Sequence, residues 1–107
     1  MGELLETSDA TFAKNVLTSA TPVLVDFGAE WCQPCRMMTP LLAQLAGEHG
    51  DKLRIVKLDV QNNPETPMQY GVMNLPTLLL FVKGEVKERL TGYQPLKKIA
   101  DTIARYL

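Results

Sequence analysis

The stretch Pro22-Val23-Leu24-Val25-Asp26-Phe27 constrains the fold more than any other part of the chain. Its apolar residues do not alternate with polar ones, so a strand built from it has both faces covered. Strands of that kind sit in parallel sheets with helices on both sides, which predicts the α/β class. Asp26, the one carboxylate in the run, is carried into the interior with it.

The flanking pattern agrees. A short strand is expected around Glu3 to Glu6, after which Ser8 and Asp9 offer N-caps to a helix burying Phe12, Val16 and Leu17. From Pro34 to about His49 the residues Met38, Leu41, Leu42, Leu45 and Ala46 recur at helical spacing. Pro40 is expected to kink that helix, because it cannot bond the carbonyl of Arg36. A strand over Leu53 to Val60 follows, then a short helix capped by Asn63-Pro64 and ending near Gly71. Leu78 to Val82 and Val86 to Leu90, joined through Lys83-Gly84-Glu85, read as an antiparallel hairpin. A last helix is expected to bury Leu96, Ile99, Ala100, Ile103 and Leu107. The order β-α-β-α-β-α-β-β-α needs helical crossovers in its first half and a tight hairpin in its second. A mixed sheet sandwiched by helices is the result, with one domain expected over residues 1–107 because no repeat or linker interrupts it.

Composition excludes several function classes. At 46% hydrophobic residues the chain can bury a core, and a formal charge of -1 leaves no global field to draw nucleic acid or an anionic membrane. Met1-Gly2-Glu3-Leu4-Leu5-Glu6 has acids where a signal peptide carries Lys or Arg, and Glu6 breaks the myristoylation pattern. A cytoplasmic protein is expected.

The two cysteines both lie in Trp31-Cys32-Gln33-Pro34-Cys35-Arg36, at the start of the predicted long helix. Closing so short a loop stabilises a fold by only about 2 kcal/mol, so a staple is not a sufficient reason for the pair. A thiolate attacks a disulfide, and free N–H groups with the positive dipole end at a helix N-terminus favour the thiolate. Cys32 is placed to feel both, and Cys35, within the first turn, can close a disulfide with it. The spacing makes Cys32 a nucleophile and Cys35 its resolver, while Pro34 stiffens the loop between them. The alternatives are two inert thiols or a zinc site. Zinc needs two more donors, yet there is no third cysteine and His49 lies about four turns along the same helix.

Asp26 has two readings. Desolvation in an apolar strand raises its pKa and suits it to take the Cys35 proton; otherwise it is a strand-end aspartate bonded to backbone N–H groups. Lys57, flanked by Val56 and Leu58, is either its charge partner or a lysine reaching for solvent.

Val25-Asp26-Phe27, Trp31-Cys32-Gln33-Pro34-Cys35, Pro40, Lys57, Pro64, Leu75-Pro76-Thr77 and Gly92 together make the chain resemble the thioredoxin family over essentially its whole length. The resemblance implies a thioredoxin fold, with a central mixed five-stranded sheet flanked by four helices, and a cis bond between Leu75 and Pro76. It implies a shallow apolar groove for an extended substrate, formed by Trp31, Met73, Asn74, Leu75, Pro76, Gly92 and Tyr93 with Gln33 and Pro34 beside them. Ordinary loop packing is the other reading of Met73 and Tyr93. It further implies a protein-disulfide reductase and electron carrier, monomeric, with Asp26 and Lys57 assisting Cys32 and Cys35. Its partners would be disulfide-containing proteins and a flavin-dependent thioredoxin reductase drawing on NADPH, with no bound cofactor beyond the Cys32–Cys35 disulfide. The family's usual residue between Cys32 and Pro34 is Gly, so Gln33 is expected to tune the potential and the choice of partners. A disulfide oxidase or isomerase, and a non-catalytic module using the same groove, are the competing functions.

Overall fold

The computed structural model describes residues 4–107, so Glu3 of the expected first strand lies outside the described residues. Five strands, β1 (Leu5–Thr7), β2 (Val23–Gly28), β3 (Arg54–Asp59), β4 (Thr77–Val82) and β5 (Glu85–Thr91), form one sheet in the order β1-β3-β2-β4-β5. β1 and β2 both run parallel to β3, whereas β4 is antiparallel to β2 and to β5. Four helices cover the sheet: α1 (Ala13–Leu17), α2 (Gln33–His49), α3 (Glu65–Gln69) and α4 (Leu96–Ile103). This is the mixed five-stranded sheet flanked by four helices that the resemblance implies. No helix among the described residues is long and apolar enough to cross a membrane.

Every residue of β2 is buried, as its unbroken apolar run requires. Alternation along the strands then sorts side chains between two cores. Leu24, Ile55, Leu78 and Leu80 face Met38, Leu42 and Leu45 of α2 and Ile99 and Ile103 of α4. Val23, Val25, Phe27, Val56, Leu58, Leu79 and Phe81 face Phe12 and Val16 on the opposite side. Parity therefore puts Asp26 and Gly28 on the side of Leu24, and Lys57 and Asp59 on the side of Ile55. These positions lie at the carboxyl ends of adjacent strands, where α/β sheets present their reactive groups.

Four local expectations change. α1 is a single wide turn, in which the Thr18 N–H bonds the Ala13 carbonyl at 3.1 Å, five residues back. Ser8 Oγ accepts the Thr11 N–H at 3.2 Å, but Asp9 does not cap this segment. Its carboxylate instead accepts the N–H groups of Glu65 (3.1 Å) and Thr66 (2.8 Å) and the Thr66 hydroxyl (2.6 Å), while Asn63 Oδ1 accepts the Asp9 N–H at 2.9 Å. Free N–H groups at the start of α3 and a hydroxyl beside them outbid a local cap. Burial pushes the Asp9 carboxyl up, but these bonds outweigh it and hold it below its ordinary value. Asp9→Ala should cost about 1–2 kcal/mol at neutral pH, and the cost should shrink as pH falls through the lowered pKa of Asp9; urea unfolding measures it.

Leu107 is the third. α4 stops at Ile103 and the chain tightens through Ala104–Tyr106, so the helical spacing that would bury Leu107 is lost and the residue is exposed. The hairpin forms with a turn one residue shorter than expected: Glu85 already pairs with Val82, leaving Lys83 and Gly84 at φ 53° and 82°, the mirror-image two-residue turn that matches strand twist. Pro40 stands inside an α2 that continues to His49.

Candidate active site

β2 ends at Gly28, and the chain turns through Ala29 to Trp31 into α2, whose N-cap is Cys32. Cys32 keeps an extended backbone (φ -88°, ψ 108°), and its Sγ accepts the Cys35 N–H at 3.3 Å. A sulfur therefore occupies the place a Ser or Asp oxygen takes in an ordinary N-cap, facing free N–H groups. Pro34, in the first turn, has no N–H to leave unpaired. The two sulfurs are bonded to each other, with Cα atoms 5.3 Å apart. Cys32 and Cys35 are 6% and 5% exposed and pack with Ala29, Val60 and Leu75.

Leu75 comes from a second loop, and its bond to Pro76 is cis. Pro76 is buried, its carbonyl accepting the Gly92 N–H at 2.7 Å, and Thr77 Oγ1 donates to the Asn74 carbonyl at 2.6 Å. The segment Asn74–Thr77 is thus tied to the end of β5, which brings Gly92 and Tyr93 beside it. Trp31 (69% exposed), Met73 (90%) and Tyr93 (45%) present apolar surface to solvent. Gln33, Pro34 and Asn74 are exposed as well.

Below the disulfide, a cavity of about 460 Å³ is lined by Cys35, Asp26, Gly28 and Lys57, with Thr39, Arg36, Glu6, Glu30 and Asp59 around them. Asp26 is 1% exposed, and neither carboxylate oxygen has a hydrogen-bond partner among the described residues. It is therefore not the backbone-bonded aspartate that the sequence left open. Burial raises its pKa from 3.8 to about 6, against the opposing charge of Lys57. Lys57 is half-buried next to Asp26 in the β2–β3 register, and its ammonium donates to Thr39 Oγ1 at 3.1 Å rather than standing in solvent.

The Asp26 shift has a sign that can be tested. From about pH 4 to 6 the folded state keeps a proton that the unfolded state has released, so stability falls as pH rises across that window. Above pH 6 the loss is complete, at roughly 3 kcal/mol for a shift of this size. Asp26→Asn is expected to be more stable than the parent by about 1–3 kcal/mol at pH 7.5, with the difference vanishing near pH 4; urea titrations at the two pH values compare them.

Sequence reasoning missed Thr39, Gly28, Glu6 and Asp59. Three had a signal: Thr39 is one helical turn after Cys35, Gly28 is two residues after Asp26 on the same face, and Asp59 is two after Lys57; Glu6 had none, because its place opposite Lys57 is set by the β1–β3 register. A Cβ on Gly28 would meet Cys35 Cβ at 3.2 Å and Sγ at 3.3 Å. Gly28→Ala should therefore lower stability by about 1–3 kcal/mol, read as a drop in Tm, because the bonded cysteine has little room to retreat. Among the described residues, no group of three or more His, Cys, Asp or Glu is placed to hold a metal ion.

Known proteins resemble this sequence along most of its length. The sequence model of the thioredoxin family matches residues 3–105. A thioredoxin of Listeria monocytogenes serovar 1/2a is 48% identical, over 95% of this chain and 97% of its own. Thioredoxins of Alicyclobacillus acidocaldarius (46%; 94% of each chain) and a Synechocystis strain (41%; 95% of each) are similar at nearly the same coverage.

Proposed function

From the premise that the chain belongs to the thioredoxin family and is a thiol-disulfide oxidoreductase that reduces protein disulfides, we propose that Cys32 is its nucleophile and Cys35 its resolving residue. The observation that carries this reading is the bonded pair at the start of α2, where Cys32 Sγ accepts the Cys35 N–H above a cavity holding Asp26.

In the reduced protein the Cys32 thiolate, favoured by the helix N-terminus, attacks one sulfur of a substrate disulfide. A bond forms between Cys32 and that sulfur, the substrate disulfide breaks, and its other sulfur leaves as a thiolate. Cys35 then gives its proton to Asp26 across the cavity and attacks Cys32 Sγ, expelling the second substrate thiolate. Two electrons have passed to the substrate and the Cys32–Cys35 disulfide is formed. Near neutral pH, Asp26 is ionised and able to accept that proton, and Lys57 offsets the charge it carries.

Substrate lies as an extended segment against Trp31, Met73, Leu75, Pro76 and Tyr93, bonded to the backbone around Leu75, with Gln33, Pro34, Asn74 and Gly92 at its edges. The exposure of Trp31, Met73 and Tyr93 next to nearly buried sulfurs supports this. A flavin-dependent thioredoxin reductase returns two electrons from NADPH, and the chain works as a cytoplasmic monomer of one domain spanning residues 1–107. Insulin reduction by dithiothreitol tests the exchange, and NADPH oxidation coupled through a thioredoxin reductase tests the recycling. Turnover in the first assay without the second would remove only the reductase. A strongly oxidising equilibrium with glutathione would turn the reading towards an oxidase.

A further inference from the structure

Thr39 joins the two sides of the cavity through one oxygen. Lys57 Nζ on β3 donates to Thr39 Oγ1 at 3.1 Å, and the hydroxyl donates to the Cys35 carbonyl on α2 at 3.5 Å. A hydroxyl can accept one bond and give another, which neither a methyl nor an ammonium in its place could do. The arrangement is notable for the pair it leaves apart. An ammonium beside a buried, unpartnered carboxylate gains by closing on it. Yet both Asp26 oxygens are unpartnered, and the ion pairs among the described residues are Lys87–Glu85, Lys97–Asp101 and Arg105–Glu88.

We propose that Thr39 is a positioning residue whose hydroxyl holds the Lys57 ammonium off the Asp26 carboxylate and so sets the pH at which Asp26 takes up its proton. The other charged groups facing Asp26 across the cavity are Glu6 from β1, Asp59 from β3, Glu30 from the loop after β2 and Arg36 from α2. Glu6, Glu30 and Arg36 are exposed, so solvent screens their fields more than that of half-buried Lys57, while Asp59, half-buried as well, lies opposite Gly28 and not opposite Asp26 in register. Without the hydroxyl, the ammonium loses its only hydrogen-bond acceptor among the described residues, and of the two carboxylates opposite Lys57 in register, Glu6 on β1 and Asp26 on β2, Asp26 is the buried one with no hydrogen-bond partner among those residues. The consequence for catalysis rests on the reading of Asp26 as the acceptor of the Cys35 proton; the placement of Lys57 does not.

The test is a carbon-13 NMR titration of the Asp26 carboxyl in the full chain. Thr39→Val should lower the midpoint by roughly one pH unit or more, as expected for a cation brought into contact, while Thr39→Ser should keep the parent value. In a Lys57→Met background, Thr39→Val should leave the midpoint where Lys57→Met alone puts it. A midpoint unchanged or raised by Thr39→Val overturns the proposal, as does an equal drop in the Lys57→Met background. Thr39→Ala provides the same measurement should the valine not fold. The pH profile of thiol release from a Cys32-linked mixed disulfide is read in parallel. A moved midpoint with an unmoved profile upholds the role of Thr39 and discards the proton transfer to Asp26.

Discussion

Cys32→Ser will fold and will reduce insulin at least about a thousand-fold more slowly than the parent, because a hydroxyl cannot replace the ionised sulfur that begins the exchange. The fold should survive, since losing a disulfide that closes so short a loop costs about 2 kcal/mol. Far-UV circular dichroism checks this before rates are compared. Cys35→Ser should differ in kind: Cys32 still attacks, but nothing expels the second substrate sulfur, so mixed disulfides accumulate. Mass spectrometry of the variant incubated with a disulfide-containing protein should find the adduct on Cys32. Full turnover by Cys32→Ser would remove the proposed chemistry, whereas loss of turnover in Cys35→Ser without an adduct would remove only the division of roles.

Phe81→Ala should be the most damaging single change to the fold, at about 3–5 kcal/mol. Phe81 is fully buried on β4, and its ring lies edge-on to those of Phe12 and Tyr70, with centroids 5.4 and 5.2 Å away. Truncation leaves a cavity that these rings, held by α1 and the end of α3, cannot collapse into. A loss of that size is a large fraction of the stability of an ordinary domain, and the urea midpoint should fall accordingly. Leu107→Ala, at the exposed chain end, should change stability by less than about 0.5 kcal/mol in the same measurement. Equal effects from the two would mean that the core on this face is not packed as described.

Much of the site was legible because it is local. The two cysteines, the proline between them and the helix start all fall within one short stretch, and an apolar run with no polar alternation was enough to send Asp26 inward. The same reasoning failed at Asp9, whose partners Glu65 and Thr66 are far along the chain, although Asp9 looks in sequence like a cap for its own helix. It failed at Leu107 because helical spacing was extended past the point where the turns tighten.

The chain's own pattern decided the type and order of nine elements, the covered state of β2 and the placing of Cys32 at a helix start, since each rests on neighbours within a turn or two. Tertiary structure decided which groups share the cavity under Cys35: Asp26 from β2, Lys57 from β3 and Thr39 from α2. It also decided that Asp26 has no hydrogen-bond partner among the described residues and that Lys57 is held by Thr39. Those outcomes depend on strand register and on the seating of α2 over the sheet, and contacts between residues distant in sequence follow from how the whole chain packs.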